Sequence, residues 1–406
     1  MPPVGQTKPA VVPRLSDRVA IGALTQTYPP ELVDQVLAQT GRRERRYRLL
    51  PARMVVYYLL AMCLFADIAY VEVLRLLVEA LRRPGRLVGA PARLPVKSAL
   101  IQARVRLGPE PLKALLEQTA RPLATQATQG AWYRGWRLVA IDGTCLDVAD
   151  TPANQAWFGR PRSGRGEGVG AFPKVRVVGL AECGTHAIVG AVMGPYTKGE
   201  TTLARELLDT LDAGMLVLAD RRFTGAALWR KAQATGAALL WRVTTGTKTA
   251  PALPVDRVLA DGSWLSRLDP DQVVGAPIVV RVLEYAVDDP GRPQATGQTY
   301  RLVTTIGDPE LAPAAELAAL YHQRWELEGV LDELKTHQRG AQAVLRSKTP
   351  LMVQQEVWAH LLVHYAIRKL MHQAALEHDL DPDRLSFVGS LRIVRRHLVS
   401  YQPFSP

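Results

Sequence analysis

Cysteine is nearly absent from this chain: three residues in 406, at Cys63, Cys145 and Cys183. No two have Cys-x-x-Cys spacing, and an odd, sparse set builds neither a zinc site nor a disulfide framework. The count fits a reducing cytoplasm. Long apolar runs are missing as well. The longest, Met54 to Ala66, has 13 residues, too few to cross a bilayer, and reads as a buried helix. The start, Met-Pro-Pro-Val-Gly-Gln-Thr-Lys, has no signal-peptide apolar region. The glycine-rich stretch 159–168 lacks the Lys-Ser/Thr ending of a nucleotide-binding loop, so it reads as a mobile basic loop and ATP is not expected. No internal repeat and no clear helix-turn-helix signature emerge. What remains is a soluble protein without membrane, zinc or nucleotide chemistry.

The composition, 48% hydrophobic and 22% charged, is that of an ordered chain with room for two or three domains. Its net charge is +12, which suggests a polyanionic partner. Residues 1–130 hold 19 Lys+Arg against 9 Asp+Glu, so ten of the twelve excess charges lie in the first third. That third is the expected docking module. Its densest run, Arg42-Arg43-Glu44-Arg45-Arg46-Tyr47-Arg48, is expected to face a nucleic-acid backbone.

Residues 1–14 are proline-rich and read as loose; Leu15 to about Gln129 reads as helical. From Trp136 the texture turns to strands. Leu138–Val148, Val175–Glu182 and His186–Met193 read as consecutive antiparallel strands. A helix (Thr201–Leu211), a strand (Met215–Asp220), a helix (Phe223–Thr235) and a strand (Ala238–Val243) follow. By analogy this is the ribonuclease H-like order, a mixed five-stranded sheet with flanking helices in which the first and fourth strands are neighbours. Residues 244–313 are too long for a bare loop and contain strand-like runs at Ile278–Val287 and Tyr300–Ile306. Helices Pro350–Leu376 and Arg384–Leu398 close the chain. His360 and His364, four apart among Trp358, Leu361, Leu362 and Val363, read as packed core; so does Trp264.

Three carboxylates stand out. Asp142 closes the apolar run Leu138–Ile141, and Asp220 closes Met215–Ala219. An acid closing a buried strand lies at the rim of its sheet. Glu328 sits in a helical stretch. At about 100° per residue, Tyr321, Arg324, Glu328 and Lys335 fall within a face about 60° wide, suited to a phosphate held by cations. Glu326 points away, whereas Asp332 stays on that face, so helical geometry alone leaves Glu328 and Asp332 competing. Two aspartates and a glutamate suit a pair of divalent ions that activate water and leaving oxygen in phosphoryl transfer. All-oxygen ligands favour Mg²⁺ or Mn²⁺.

The order and spacing of Tyr321, Arg324, Glu328 and Lys335 match Y-(2)-R-(3)-E-(6)-K, the signature of bacterial DDE transposases of the insertion element 4 family. Ile141-Asp142-Gly143-Thr144 resembles that family's first-aspartate motif. Leu218-Ala219-Asp220-Arg221-Arg222-Phe223 is similar to its second, with Arg222 where glycine is more usual. Phe172-Pro173-Lys174-Val175-Arg176 and Gly199-Glu200 also sit at comparable places, and the resemblance spans roughly Leu15 to Leu398. It implies that Asp142, Asp220 and Glu328 are the catalytic, metal-holding residues, favouring Glu328 over Asp332. Tyr321, Arg324, Lys335 and Arg221 are then expected to contact DNA. It further implies an all-α DNA-binding domain (15–130), a catalytic domain (131–244 and 314–345), a β-rich insertion (245–313) and C-terminal helices (346–406). The expected activity is cut-and-paste transposition on terminal inverted repeats and target DNA, by a homodimer in the bacterial cytoplasm, at the nucleoid. The alternatives are an inactive DNA-binding remnant and a structure-selective nuclease of the same fold.

Overall fold

The computed structural model describes residues 23–44, 46, 48–79, 94–161, 170–223, 225–245, 250–268, 277–287, 298–340 and 344–400. The readings of residues 1–14 and of most of the 159–168 loop lie outside them. Among the described residues six helices come first: α1 (Ala23–Thr27), α2 (Pro30–Gln39), α3 (Ala52–Leu64), α4 (Tyr70–Glu79), α5 (Lys97–Leu107) and α6 (Glu110–Thr119). The apolar run expected to form a buried helix is α3, with every residue from Met54 to Leu64 buried. A helix apolar on all sides needs neighbours on all sides. It has them in α2, α4, α5 and the long α12 (Pro350–Glu377).

The N-terminal helices and α12 therefore share one core, although the chain between them forms a sheet. Tyr28 Oη donates to the Leu362 carbonyl at 2.7 Å. Buried Arg104 on α5 donates from Nε to Gln355 Oε1 (3.1 Å), and from Nη2 to Ser347 Oγ (2.8 Å) and the Met352 carbonyl (3.0 Å). Gln355 returns Nε2–H to the carbonyls of Arg104 and Gly108, at 2.7 and 2.9 Å.

The intervening elements are β1 (Trp132–Tyr133), β2 (Trp136–Val148), α7 (Pro152–Phe158), β3 (Lys174–Glu182), β4 (Ile188–Pro195), α8 (Glu200–Leu207), β5 (Met215–Ala219), α9 (Ala226–Gln233) and β6 (Ala238–Val243). Then come β7 (Arg257–Val258), β8 (Trp264–Leu268), β9 (Ile278–Val287), β10 (Gln298–Thr304), α10 (Ala314–Tyr321), α11 (Trp325–Asp332) and β11 (Val344–Leu345). α13 (Phe387–Ser400) follows α12. The strand order begins β4-β3-β2-β5-β6, with β3 antiparallel to its neighbours and β5 parallel to both β2 and β6. The first long strand and the fourth thus lie side by side, as expected. Alternation along β2 feeds two cores: Leu138 and Ala140 join the core shared with α12, while Val139 and Ile141 pack with α8 and α9.

The sheet does not stop at five strands. β10 pairs antiparallel with β6, and β9, β8 and β7 continue outward, so the insertion prolongs the sheet. An open β6 edge would leave a row of backbone donors and acceptors unpaired, and β10 covers it. The third strand begins at Ile188, not His186, because Gly184 (φ +74°) and His186 (φ +57°) form a left-handed turn. A side chain at Gly184 would come within 2.3 Å of the Gln129 carbonyl. The stretch around Glu328 is not one α-helix either. A 3₁₀ turn (His322–Arg324) separates α10 from α11, and a π turn (Glu333–His337) follows, so helical arithmetic loses its phase by Lys335. No helix among the described residues is long and apolar enough to cross a membrane.

Arg104→Met strips three buried acceptors of their donor at once. We expect a loss of about 3 kcal/mol or more in chemical denaturation, against at most about 0.5 kcal/mol for Lys113→Met on the exposed face of α6.

Candidate active site

The last residue pair of the parallel β2–β5 ladder is Ile141 with Ala219. The next residue on each strand is an aspartate, so Asp142 and Asp220 emerge side by side. Asp142 is not at the end of its own strand: β2 runs on to Val148, and Asp142 pairs with Gly179 of β3. It reaches a rim because β5, its neighbour, is shorter. Asp142 Oδ1 accepts the Gly143 N–H at 2.8 Å. Asp220 Oδ1 accepts the Arg222 N–H at 2.6 Å, an Asx turn that ends β5 and seats Phe223 in the core.

The stretch from α10 to α11 crosses this rim. Tyr321 is 1% exposed, and its hydroxyl donates to the Ala219 carbonyl at 3.2 Å. That bond commits the hydroxyl hydrogen, so the expected phosphate hydrogen bond from Tyr321 is not available in this arrangement. Arg324, 5% exposed, spans two carboxylates: Nη1 lies 3.7 Å from Asp142 Oδ2, and Nη2 donates to Glu328 Oε1 at 3.0 Å. Asp332 is turned elsewhere, taking the Thr336 hydroxyl at 2.7 Å and lying 3.4 Å from His337 Nε2. Lys335 is exposed and acts electrostatically on Cys145 of β2; Arg221 is exposed beside Asp220. Glu326 points away, as expected, and accepts the Gly184 N–H at 2.7 Å. His360 and His364 are buried, bonded to Gln338 and Glu333.

Glu200, the first residue of α8, is an acid of this site that the sequence did not single out as such. It is 9% exposed and its carboxylate lies against Gly143: a side chain there would bring Cβ within 1.9 Å of Glu200 Oε1. Arg176 Nη1 and Arg222 Nη1 stand 3.8 and 3.7 Å from Glu200 Oε2. An acid opening a helix ordinarily complements the helix dipole, and in the sequence only the Gly199-Glu200 resemblance drew notice to it. Burial raises the Glu200 carboxyl above its ordinary range, against the pull of Arg222 and Arg176.

Crowded acids also govern Asp142. Burial pushes its carboxyl up to about 6; the Gly143 N–H and Arg324 pull it down, while Asp220 and Glu200 push it further up. Arg324 stays protonated beyond its ordinary range: burial opposes its charge, but Tyr321, Glu328 and Asp142 more than offset that. An all-carboxylate donor set with mutual repulsion fits a hard divalent cation. Among the described residues, the cluster with three ligand groups within 4.8 Å of one another is a different one, His186, Glu326 and Asp383. There Arg368 Nη2 donates to His186 Nδ1 at 2.7 Å. Its Nε2 lies 3.2 and 3.4 Å from the Asp383 and Glu326 carboxylates.

Two family models match in sequence: "Insertion element 4 transposase N-terminal" over residues 18–117 and "Transposase DDE domain" over 134–365. The chain belongs to the insertion element 4 family of DDE transposases. It is 29% identical over 414 residues to the transposase InsG for insertion sequence element IS4 of Escherichia coli K12, covering 99% of this chain and 88% of that one. A putative transposase InsZ of the same strain is 29% identical over 195 residues, 48% of this chain and 62% of its own length. The piggyBac transposase in a synaptic complex with hairpin DNA aligns over 95% of this chain and 80% of its own, at 11% identity and a TM-score of 0.46. This transposase is thus a DNA-transposing enzyme, and its DNA partner follows from the family.

Because the Asp142 carboxyl is raised in the folded state, its contribution to stability is fully present below the ordinary carboxylate range and is lost as pH rises through about 6. Asp142→Asn removes that penalty. In EDTA the variant is expected to be more stable than wild type at pH 8, by up to about 2 kcal/mol, with the difference gone near pH 4. Urea denaturation at both pH values checks the sign.

Proposed function

We propose that Asp142, Asp220 and Glu328 are the catalytic carboxylates of a cut-and-paste DNA transposase. The observation that carries this reading is that Asp142 and Asp220 each follow the last β2–β5 pair, Ile141 with Ala219, with Arg324 linking Asp142 to Glu328. These three acids are the residues to hold two Mg²⁺ or Mn²⁺ ions. When bound, such ions lower the pKa of the attacking water and neutralise charge on the leaving oxygen.

The chain's own residues supply the frame. The Gly143 and Arg222 N–H groups fix the two aspartates, and Tyr321 pins α10 to the end of β5, which favours a positioning role for it over DNA contact. Arg324, Lys335 and Arg221 are the cations for phosphate oxygens near the cut, bidentate where guanidinium geometry permits. In the first step water attacks the phosphorus at the element end, and the bond to the departing 3′ oxygen breaks, leaving a free 3′-OH. In the second step that hydroxyl attacks a further phosphodiester in line; a new P–O bond forms as the 3′ oxygen of the attacked strand leaves. The basic N-terminal third would recognise the terminal inverted repeats, its affinity falling steeply with salt. Cutting two ends together calls for a homodimer on the DNA, acting at the bacterial nucleoid.

Asp142→Ala is expected to abolish strand cleavage in Mg²⁺, by about a thousandfold or more, while leaving binding to the same end duplex within a few-fold of wild type. Retained cleavage by this variant would remove Asp142 from the mechanism.

A further inference from the structure

Glu200 is shared by two arginines that differ in how firmly they are held. Arg176 on β3 is fixed: Nη2 donates to the Tyr196 carbonyl at 3.3 Å, and its guanidinium lies 5.2 Å from the centre of the Tyr196 ring. Its Nη1 is 3.8 Å from Glu200 Oε2. Arg222 is the opposite case. Its backbone is fixed by the N–H bond to Asp220, yet its side chain is 70% exposed, with Nη1 3.7 Å from the same Glu200 oxygen. Glu200 itself has little room to move, lodged against Gly143 on one side with its side chain only 9% exposed. The result is a continuous line of fixation, Tyr196 to Arg176 to Glu200 to Arg222, ending in an exposed guanidinium two residues from Asp220.

A solvent-exposed arginine otherwise samples many rotamers, and ordering it costs up to about 2 kcal/mol. A buried carboxylate already facing one of its nitrogens removes part of that cost, while the remaining donors stay open to an incoming anion. The position is the one where the second-aspartate motif of the resembling family more usually has glycine, which could make no such contact.

We propose that Glu200 is a positioning residue that aims Arg222 at a DNA backbone phosphate adjacent to the one that is cut. The proposal rests on the assignment of Asp142 and Asp220 to the cleavage site. It adds one phosphate contact, made by Arg222 and tuned by Glu200.

The test separates binding from cleavage. In EDTA, the affinity for a short duplex carrying the element's terminal repeat is measured across a salt series for wild type, Arg222→Gly, Arg222→Lys and Glu200→Gln. Loss of one phosphate contact should lower the slope of log K against log [salt] by about 0.9 in Arg222→Gly. Arg222→Lys and Glu200→Gln, which keep the cation, should hold the wild-type slope. Single-turnover cleavage in Mg²⁺ should then fall about tenfold in both Glu200→Gln and Arg222→Gly. The double variant should be no slower than Arg222→Gly alone, because Glu200 acts through Arg222.

An unchanged slope in Arg222→Gly overturns the phosphate contact. Cleavage losses that multiply in the double variant overturn the positioning role. If Glu200→Gln unfolds, the two Arg222 variants still decide the phosphate contact by slope, and Glu200→Asp, which keeps the charge on a shorter arm, takes its place in the cycle. Asp142→Ala with a wild-type slope and no cleavage keeps the underlying site assignment separate from this outcome.

Discussion

The site depends on a mismatch in strand length. β2 is thirteen residues long and β5 is five. Where the shorter strand ends, after Ile141 and Ala219, the two aspartates are placed side by side by backbone hydrogen bonding, with no need of a flexible loop. Strands hold functional groups more tightly than loops do. The same backbone supplies the next constraint, since the carbonyl of Ala219 receives the Tyr321 hydroxyl and so locates the helical stretch that carries Arg324 and Glu328. A sheet register and one buried hydrogen bond therefore set where all three acids stand.

Crowding carboxylates beside one another opposes folding, and the molecule answers with arginines. Arg324 is placed between Asp142 and Glu328, and Arg176 and Arg222 flank Glu200. The compensation is incomplete at Asp142, whose carboxyl remains raised by burial and by its acidic neighbours. Residual strain of this kind is common where function and stability conflict. The frame around the site is correspondingly well tied: the Arg104–Gln355–Ser347 network joins the N-terminal helices to α12. Arg281 pairs with Asp261, whose carboxylate also accepts the Ala314 N–H at the start of α10.

Much of this was legible in the sequence, and the exceptions have physical causes. β6 and β9 match their expected runs residue for residue; β6, buried on both faces, writes a continuous hydrophobic signal, and β9 is rich in β-branched residues though Val279, Glu284 and Ala286 are exposed. α3 and α12 were equally plain. What periodicity could not carry was the break in the glutamate helix. The 3₁₀ and π turns change the angle per residue without changing residue type, so Tyr321 fell on the expected face yet proved buried and committed. Glu200 was hidden for another reason: its role comes from contact with Gly143, 57 positions earlier in the chain, and nothing local announces such a contact. That the insertion extends the sheet was also beyond reach, since pairing between β6 and β10 is a long-range choice that propensity does not encode.

The sharpest question concerns the third acid, because helical spacing alone admits both Glu328 and Asp332. The decisive measurement is single-turnover cleavage of a duplex ending in the element's own inverted repeat, in Mg²⁺, by Glu328→Ala and Asp332→Ala side by side. With Glu328 tied to Asp142 through Arg324, and Asp332 turned to Thr336 and His337, Glu328→Ala should bind the end without cutting it, and Asp332→Ala should cut within a few-fold of wild type. Cleavage by Glu328→Ala together with its loss in Asp332→Ala would contradict the account.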